Sequence, residues 1–382
     1  MKVLIFGAGG FFGSAAALRF AESTYFDKLL LASRSIDKVC PLADKLGDKA
    51  NAVEVDLHDE AQLMAAVESA DIVANFTGPS TVTTLPIMRA CAKARRPFCD
   101  VAAEASVFEA ANLEQDIFSK AGVPLVIGAG FHPGVTDLFA LTACQTLDGA
   151  DSVDMFIVGN VPDYGDPDMI IEFINSGAYK SEGFTTIFSS IGVPASVIRD
   201  GRLVSLEAGA SLNGHTTPDE IPVDFAAFAS MEPLSISAAI PQVQNATIWY
   251  GLWPITAHDV LLNQAGAVAR GEKSFSEPLK EILEISKLNE VTPPRIHFWA
   301  EAKGTKNDRP ATARVYSPKA WASTSNMIDT TVGACVYTAE QICAGKVDHS
   351  GMATLPMLFE PKSIFNFLSD GEPELNVDVI YS

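Results

Sequence analysis

The 382-residue sequence is short of positive charge: 27 Lys+Arg stand against 47 Asp+Glu, for a formal net charge of −20. Nucleic acid and anionic membrane surfaces need clustered cations, so neither is an expected partner. Small anionic ligands stay open, because they respond to a local field and not to the total. Charged residues make up only 19% and apolar residues 48%, which supplies a packed core and argues against a disordered chain. No apolar run approaches the ~18–20 residues of a membrane-spanning helix. Cysteine is sparse. Cys40, Cys91, Cys99, Cys144, Cys335 and Cys343 form no Cys-x-x-Cys, which predicts reduced thiols, a cytoplasmic protein and no zinc site. The six His show no metal-ligand spacing, so no metal is expected. Also absent are Gly-x-x-x-x-Gly-Lys, His-Glu-x-x-His, Gly-x-Ser-x-Gly and Tyr-x-x-x-Lys. Their absence argues against nucleotide hydrolysis, metallopeptidase and serine-hydrolase chemistry, and against the Tyr–Lys pair of short-chain dehydrogenases.

What is present begins with length, which at roughly 150 residues per domain suggests two domains. Lys2, an apolar stretch and Ser14-Ala15-Ala16-Ala17 imitate a signal peptide, but Gly7, Gly9, Gly10 and Gly13 interrupt it. Over residues 1–150, short apolar runs alternate with helical patterns. Strands are expected at 3–6, 28–32, 52–55, 71–76, 98–101 and 123–127, and helices at 12–21, 36–46, 60–67, 83–94 and 106–121. This rhythm predicts repeated right-handed βαβ units around a parallel sheet. After about residue 150 the strand-like stretches 154–158, 196–206, 295–303 and 311–316 suggest an α+β domain with a mostly antiparallel sheet. Residues 326–344 read as a strong amphipathic helix, and 363–368 as a short one.

The sharpest local signal is Gly7-Ala8-Gly9-Gly10-Phe11-Phe12-Gly13, between a buried strand and a helix. That is the setting of a dinucleotide-binding turn. Gly7 allows the tight turn, Gly9 or Gly10 lets a pyrophosphate approach the backbone, and Gly13 lets the helix pack on the sheet. The helix N-terminus then faces the pyrophosphate. The spacing is better described as Gly-x-x-Gly-x-x-Gly than as strict Gly-x-Gly-x-x-Gly. At the end of the second strand, about 20 residues on, NAD sites carry an acid for the ribose 2′-hydroxyl. Here Ser33 and Arg34 occupy that place. A guanidinium there can pair with a 2′-phosphate and stack on adenine, so NADP(H) is expected over NAD(H). The alternative is a solvated loop arginine. Asp56 ends the third strand, as an adenine-edge contact or as an N-cap. Asn75, Thr77 and Gly78, at the end of the fourth strand, are expected to line the cofactor.

Five stretches together resemble the saccharopine dehydrogenase-like family of NAD(P)-dependent oxidoreductases. They are the glycine loop; 31–35; Asn75-Phe76-Thr77-Gly78-Pro79 with Pro86 and the helix that follows; Phe98-Cys99-Asp100-Val101-Ala102-Ala103-Glu104; and Gly128-Ala129-Gly130-Phe131-His132-Pro133-Gly134, similar to the family's Gly-x-Gly-x-x-Pro-Gly turn. Gly351-Met352-Ala353-Thr354-Leu355-Pro356 resembles its closing segment. The likeness covers 1–145 and about 310–370, with the middle similar only in architecture. It implies an α/β fold: a Rossmann doubly wound parallel sheet over 1–150, an inserted α+β substrate and dimerisation domain over 151–320, and a return over 321–382 that packs on the first domain. It implies an NAD(P) cofactor, with Ser33 and Arg34 pointing to NADP, together with a small-molecule substrate, a homodimer, and oxidation or formation of a secondary amine through an imine.

Such chemistry needs a nicotinamide placed against carbon and a proton donor near nitrogen. Asp100, matching the family's Val-Asp position, and His132 in the Gly-Phe-His-Pro-Gly turn are the candidate catalytic residues. A helix cap for Asp100 and turn packing for His132 are the bland alternatives. Glu104 is weaker. Tyr179-Lys180, His215, Trp249 and His258 are plausible only as walls of the second domain and read more readily as structural. The competing functions are an NADPH-dependent C=O or C=C reductase on the same scaffold and a non-catalytic NADP(H)-binding sensor.

Overall fold

The structure, a computed structural model of the chain, describes residues 1–161, 166–176, 182–287, 292–317, 324–369 and 375–382. It divides into two units: Met1–Leu138 with Ile328–Pro373, and Phe139–Met327 with Glu374–Ser382.

The first unit is built on six strands in chain order: β1 (Lys2–Phe6), β2 (Lys28–Ser33), β3 (Ala50–Glu54), β4 (Ile72–Asn75), β5 (Phe98–Asp100) and β6 (Pro124–Val126). A further strand, Gly351–Ala353, pairs parallel to β6. Among the described residues the sheet runs Gly351–Ala353, β6, β5, β4, β1, β2, β3, with every pairing parallel. This is the doubly wound Rossmann order, and it reverses direction between β1 and β4. Val3, Leu4 and Ile5 on β1 are fully buried because both faces of a parallel sheet are covered. One cover is the helix Phe11–Glu22, which buries Ala16, Ala17 and Phe20. Another is the returning helix Thr324–Cys343, whose Val332, Cys335, Val336 and Ala339 join the same core.

Two helices expected as single pieces are broken. The 36–46 stretch becomes a 3₁₀ turn, Ile36–Lys38, and a helix, Cys40–Leu46. Pro41, in the first turn of the second piece, has no N–H to continue the first. The 106–121 stretch divides at Glu114 into Ala105–Leu113 and Gln115–Ser119.

In the second unit the sheet order is Ser211–Thr216, Pro222–Ala227, Asn245–Trp253, Gly149–Asn160, Phe298–Lys306, Arg309–Tyr316 and Asn376–Tyr381. Among the described residues only the central pair, Asn245–Trp253 with Gly149–Asn160, is parallel. The 196–206 strand expected from sequence is a hairpin, Ala195–Arg199 and Arg202–Leu206. Its turn residues Asp200 and Gly201 both have positive φ, the conformation a two-residue hairpin loop demands. Asn307 and Asp308 do the same between Phe298–Lys306 and Arg309–Tyr316.

The C-terminal return needs correction. Residues 328–373 belong to the first unit, but the last strand, Asn376–Tyr381, pairs with Arg309–Tyr316 in the second sheet. Alternate strand-forming residues there find an open sheet edge, a preference no local pattern reveals. The first boundary also falls at Leu138, inside the helix Val135–Thr146, and not near 150.

One face of the second sheet is aromatic. Trp299 stacks on Phe156 at 4.8 Å, and His215 on Phe156 at 4.6 Å. Glu301 Oε1 accepts from Trp299 Nε1 at 3.1 Å and from Arg314 Nε at 2.9 Å. Burial raises the Glu301 carboxyl, and the adjacent His215 and Arg314 outweigh it, leaving it below the usual range. Trp299→Ala should cost about 3–5 kcal/mol through the cavity it leaves. The check is the denaturant midpoint, and a fall of less than ~1 kcal/mol would show that the stack carries little.

Candidate functional site

All strands of the first sheet point the same way, so the segments after β1 to β6 gather at one edge. The glycine loop, Ser33-Arg34, Asp56, Asn75–Gly78, Asp100 and the 128–134 turn all lie there. The crevice where the winding reverses, between β1 and β4, is the standard ligand position of such a sheet.

Sterics explain the glycines. Gly7 has φ +77°, and a Cβ on it would meet the Phe76 carbonyl oxygen at 2.6 Å. A Cβ on Gly13 would lie 2.0 Å from the Gly7 oxygen. Gly10 N–H donates to that oxygen at 2.8 Å and Gly10 begins the helix Phe11–Glu22 without a side-chain cap. The only atom near a Cβ at Gly10 would be the Gly7 oxygen at 3.3 Å, so the loop backbone is open to approach. The first turn carries no acidic residue, and its N–H groups have no intrahelical partners. Phe11 is exposed and packs edge-on against Phe12. A backbone cradle of this kind fits a pyrophosphate.

At the end of β2, Ser33 Oγ accepts from Ser35 N–H at 3.2 Å, which shapes the turn. Arg34 is exposed and forms no ion pair with a described residue. Asp56 is not the N-cap of the next helix: Asp59 is, accepting from Ala61 and Gln62 N–H. Asp56 Oδ1 instead accepts from His58 N–H at 3.0 Å.

The centre of the edge is a buried polar network. Asp100 is 2% exposed. Its Oδ2 accepts from Asn75 Nδ2 at 2.7 Å and from Thr84 Oγ1 at 2.8 Å, and its Oδ1 accepts from Ala102 N–H. Asn75 Oδ1 in turn accepts from Thr77 N–H at 3.1 Å and Thr77 Oγ1 at 2.6 Å. Thr83 Oγ1 donates to the Thr77 carbonyl at 3.1 Å. Asp100 therefore ties the ends of β4 and β5 to the helix Ser80–Ala94 and fixes the Thr77-Gly78 loop against Gly7. Both of its oxygens are engaged inside the protein, and it caps no helix. Sequence reasoning missed Thr84, which lies on the expected helix without a motif to mark it. Burial pushes the Asp100 carboxyl up to about 6, against the lowering effect of its three donors.

The Ala129 N–H donates to the Asp100 carbonyl at 2.7 Å, joining the network to the 128–134 turn. Gly134 has φ +123°, and a Cβ there would lie 2.4 Å from the Gly130 oxygen. Gly130 N–H donates to Pro133 O and Val135 N–H to Gly130 O, closing the turn around His132, which is half-buried. Phe131 N–H reaches Thr331 Oγ1 on the returning helix at 3.4 Å. Glu104 Oε2 accepts from Ala103 N–H.

The weaker second-domain candidates are placed as structural groups. Trp249 Nε1 donates to Asp154 at 3.1 Å, and the buried His258 Nδ1 accepts from Leu252 N–H at 3.3 Å. Tyr179 and Lys180 lie outside the described residues. All six cysteines are free, and among the described residues no helix is long and apolar enough to cross a membrane.

Comparison with known proteins bears on the domain that carries the glycine loop. Residues 3–126 match the saccharopine dehydrogenase NADP binding domain. The first unit thus carries a saccharopine dehydrogenase NADP binding domain. The matched domain makes NADP the cofactor of the first unit. The chain shares its fold with apo saccharopine dehydrogenase (L-Glu forming) of Saccharomyces cerevisiae, at TM-score 0.65 and 13% identity, covering 99% of both chains. It is 32% identical over 153 residues to carboxyaminopropylagmatine dehydrogenase of Synechocystis sp., 38% of each chain. It is 28% identical over 187 residues to carboxynorspermidine synthase of Vibrio cholerae, 43% of this chain and 44% of that one. It is also 28% identical over 141 residues to a trans-acting enoyl reductase of Mycobacterium ulcerans, 36% of this chain and 34% of that one. The matched part spans less than half of each of these relatives.

Because the folded-state Asp100 carboxyl is raised above its unfolded value, the stability it contributes is present in full below pH 3.8 and lost as pH rises through about 6. The wild type's stability advantage over Asp100→Asn should therefore shrink between pH 4 and pH 6 and level off above. Denaturant midpoints across that range measure it, and a difference constant with pH would contradict the shift.

Proposed function

We propose that this chain is an NADP(H)-dependent oxidoreductase acting on a C–N bond, by imine reduction or secondary-amine oxidation. The observation that carries the cofactor half is the glycine cradle at the β1–β4 crevice, with Ser33 and Arg34 where an NAD site would place an acid. The C–N half is supported by the family resemblance and by the likeness to carboxyaminopropylagmatine dehydrogenase and carboxynorspermidine synthase.

The bound cofactor supplies hydride from its nicotinamide C4. The chain's own residues bind, orient and protonate. The loop N–H groups and the helix N-terminus hold the pyrophosphate, and Arg34 pairs with the 2′-phosphate. Thr77 and Gly78, held by Asn75, line the ribose and nicotinamide. We assign Asp100 to positioning and not to proton transfer, because its carboxyl is enclosed and both oxygens already have donors. His132, half-buried at the same sheet edge, is the better placed proton donor to a substrate nitrogen.

A second reading has its own support. The likeness to a trans-acting enoyl reductase favours reduction of a C=C bond on the same scaffold. NADPH oxidation measured with paired 2-oxo acids or aldehydes and amines, against enoyl substrates, separates the two. Turnover only with the amine pairs is expected. Turnover only with enoyl substrates would replace the first reading by the second, and tight NADPH binding without hydride transfer to any panel member would make the chain a sensor.

Arg34→Asp should weaken NADPH binding by roughly tenfold or more, measured by titration, and an unchanged affinity removes the 2′-phosphate assignment. His132→Gln should lower kcat by about 10²-fold while leaving NADPH affinity intact. Full turnover in that variant would exclude His132 as the donor.

A further inference from the structure

The 3₁₀ turn Ile36–Lys38 lies directly against the glycine loop. A Cβ built on Gly9 would sit 3.0 Å from the Lys38 Cβ and 3.6 Å from the Lys38 carbonyl oxygen. The turn is fixed at both ends. Lys38 N–H donates to Ser35 O at 3.1 Å, Val39 N–H to Ile36 O at 3.0 Å, and Val39 is fully buried in the core of the first unit. The Lys38 stem therefore leaves the backbone beside the loop that cradles the pyrophosphate, four residues beyond Arg34. Its side chain is exposed and forms no ion pair with a described residue.

The electrostatics of this edge call for a second cation. Asp37 is in the same turn, Glu54 is the register partner of Ser33, and Asp56 follows β3. Arg34 follows Ser33 at this strand end, with these acids beside it along the chain and across the β2–β3 register. A 2′-phosphate carries up to two negative charges, and one guanidinium among three carboxylates does not give it a favourable field. A lysine on a flexible four-carbon stem supplies a mobile point charge where Arg34 supplies a fixed fork.

We infer that Lys38 is a second cofactor-specificity residue, whose ammonium joins the Arg34 guanidinium on the 2′-phosphate and so selects NADP(H) over NAD(H). This rests on the NADP reading of the site and adds to it a residue outside the β2-end motif.

The experiment is titration of the full chain with NADPH, NADH and 2′,5′-ADP, for the wild type, Lys38→Met and Lys38→Arg. Lys38→Met should raise the Kd for NADPH and for 2′,5′-ADP by about tenfold, with the Kd for NADH changed less than about twofold. Lys38→Arg should restore most of the loss. The exposed position predicts an unchanged denaturant midpoint in both variants. Equal weakening of NADPH and NADH would place the ammonium on the pyrophosphate and overturn the inference, as would no change in either. A wild type that binds NADPH and NADH equally would instead overturn the NADP reading itself, a result recognisable before any variant is made.

Discussion

A single buried carboxylate holds the functional edge together. Asp100 accepts hydrogen bonds from the end of β4, from the helix that follows β4 and from the loop that follows β5. A buried ionised group is costly unless each lone pair finds a donor, so these partners cannot drift independently. Asn75 passes the constraint to Thr77, and Thr77 stands where the β4 loop touches Gly7. The position of the cofactor loop therefore depends on a group that need not touch the cofactor at all.

The same edge shows how a strongly acidic protein binds a polyanion. No general positive surface is required. The chain presents backbone N–H groups at an acid-free helix start, where the glycines keep Cβ atoms out of the way, and carries Arg34 just after β2, where an NAD site would place an acid. The acidic remainder acts over longer distances, where salt screens it, and does not set the local field. The turn at 128–134 is built by comparable sterics: Gly134 combines positive φ with an approach to the Gly130 oxygen that no side chain survives.

Local patterns made the first unit legible. Most β strands there are short runs of apolar residues, with β1 and β4 buried on both faces, and they alternate with helical patterns, so alternation alone predicts the parallel sheet. The glycine loop and the absence of an acid after β2 likewise state their chemistry in the chain. The second unit was harder. Its strands mix buried and exposed positions. Ser211–Thr216, Pro222–Ala227 and Asn245–Trp253 lie outside the stretches that read as strands from sequence, and the Asp200-Gly201 turn splits 196–206 with residue types suited to a two-residue hairpin loop.

By itself the sequence determined the repeated βαβ units and the glycine turn, because each rests on residues close together in the chain. Only the tertiary structure decided that Asp100 is enclosed by Asn75 and Thr84, that Lys38 stands against Gly9, and that the last strand joins the second sheet. Each of these depends on a contact between residues far apart in sequence, such as the 3.0 Å approach between Lys38 and a Cβ at Gly9. No periodicity encodes such a contact.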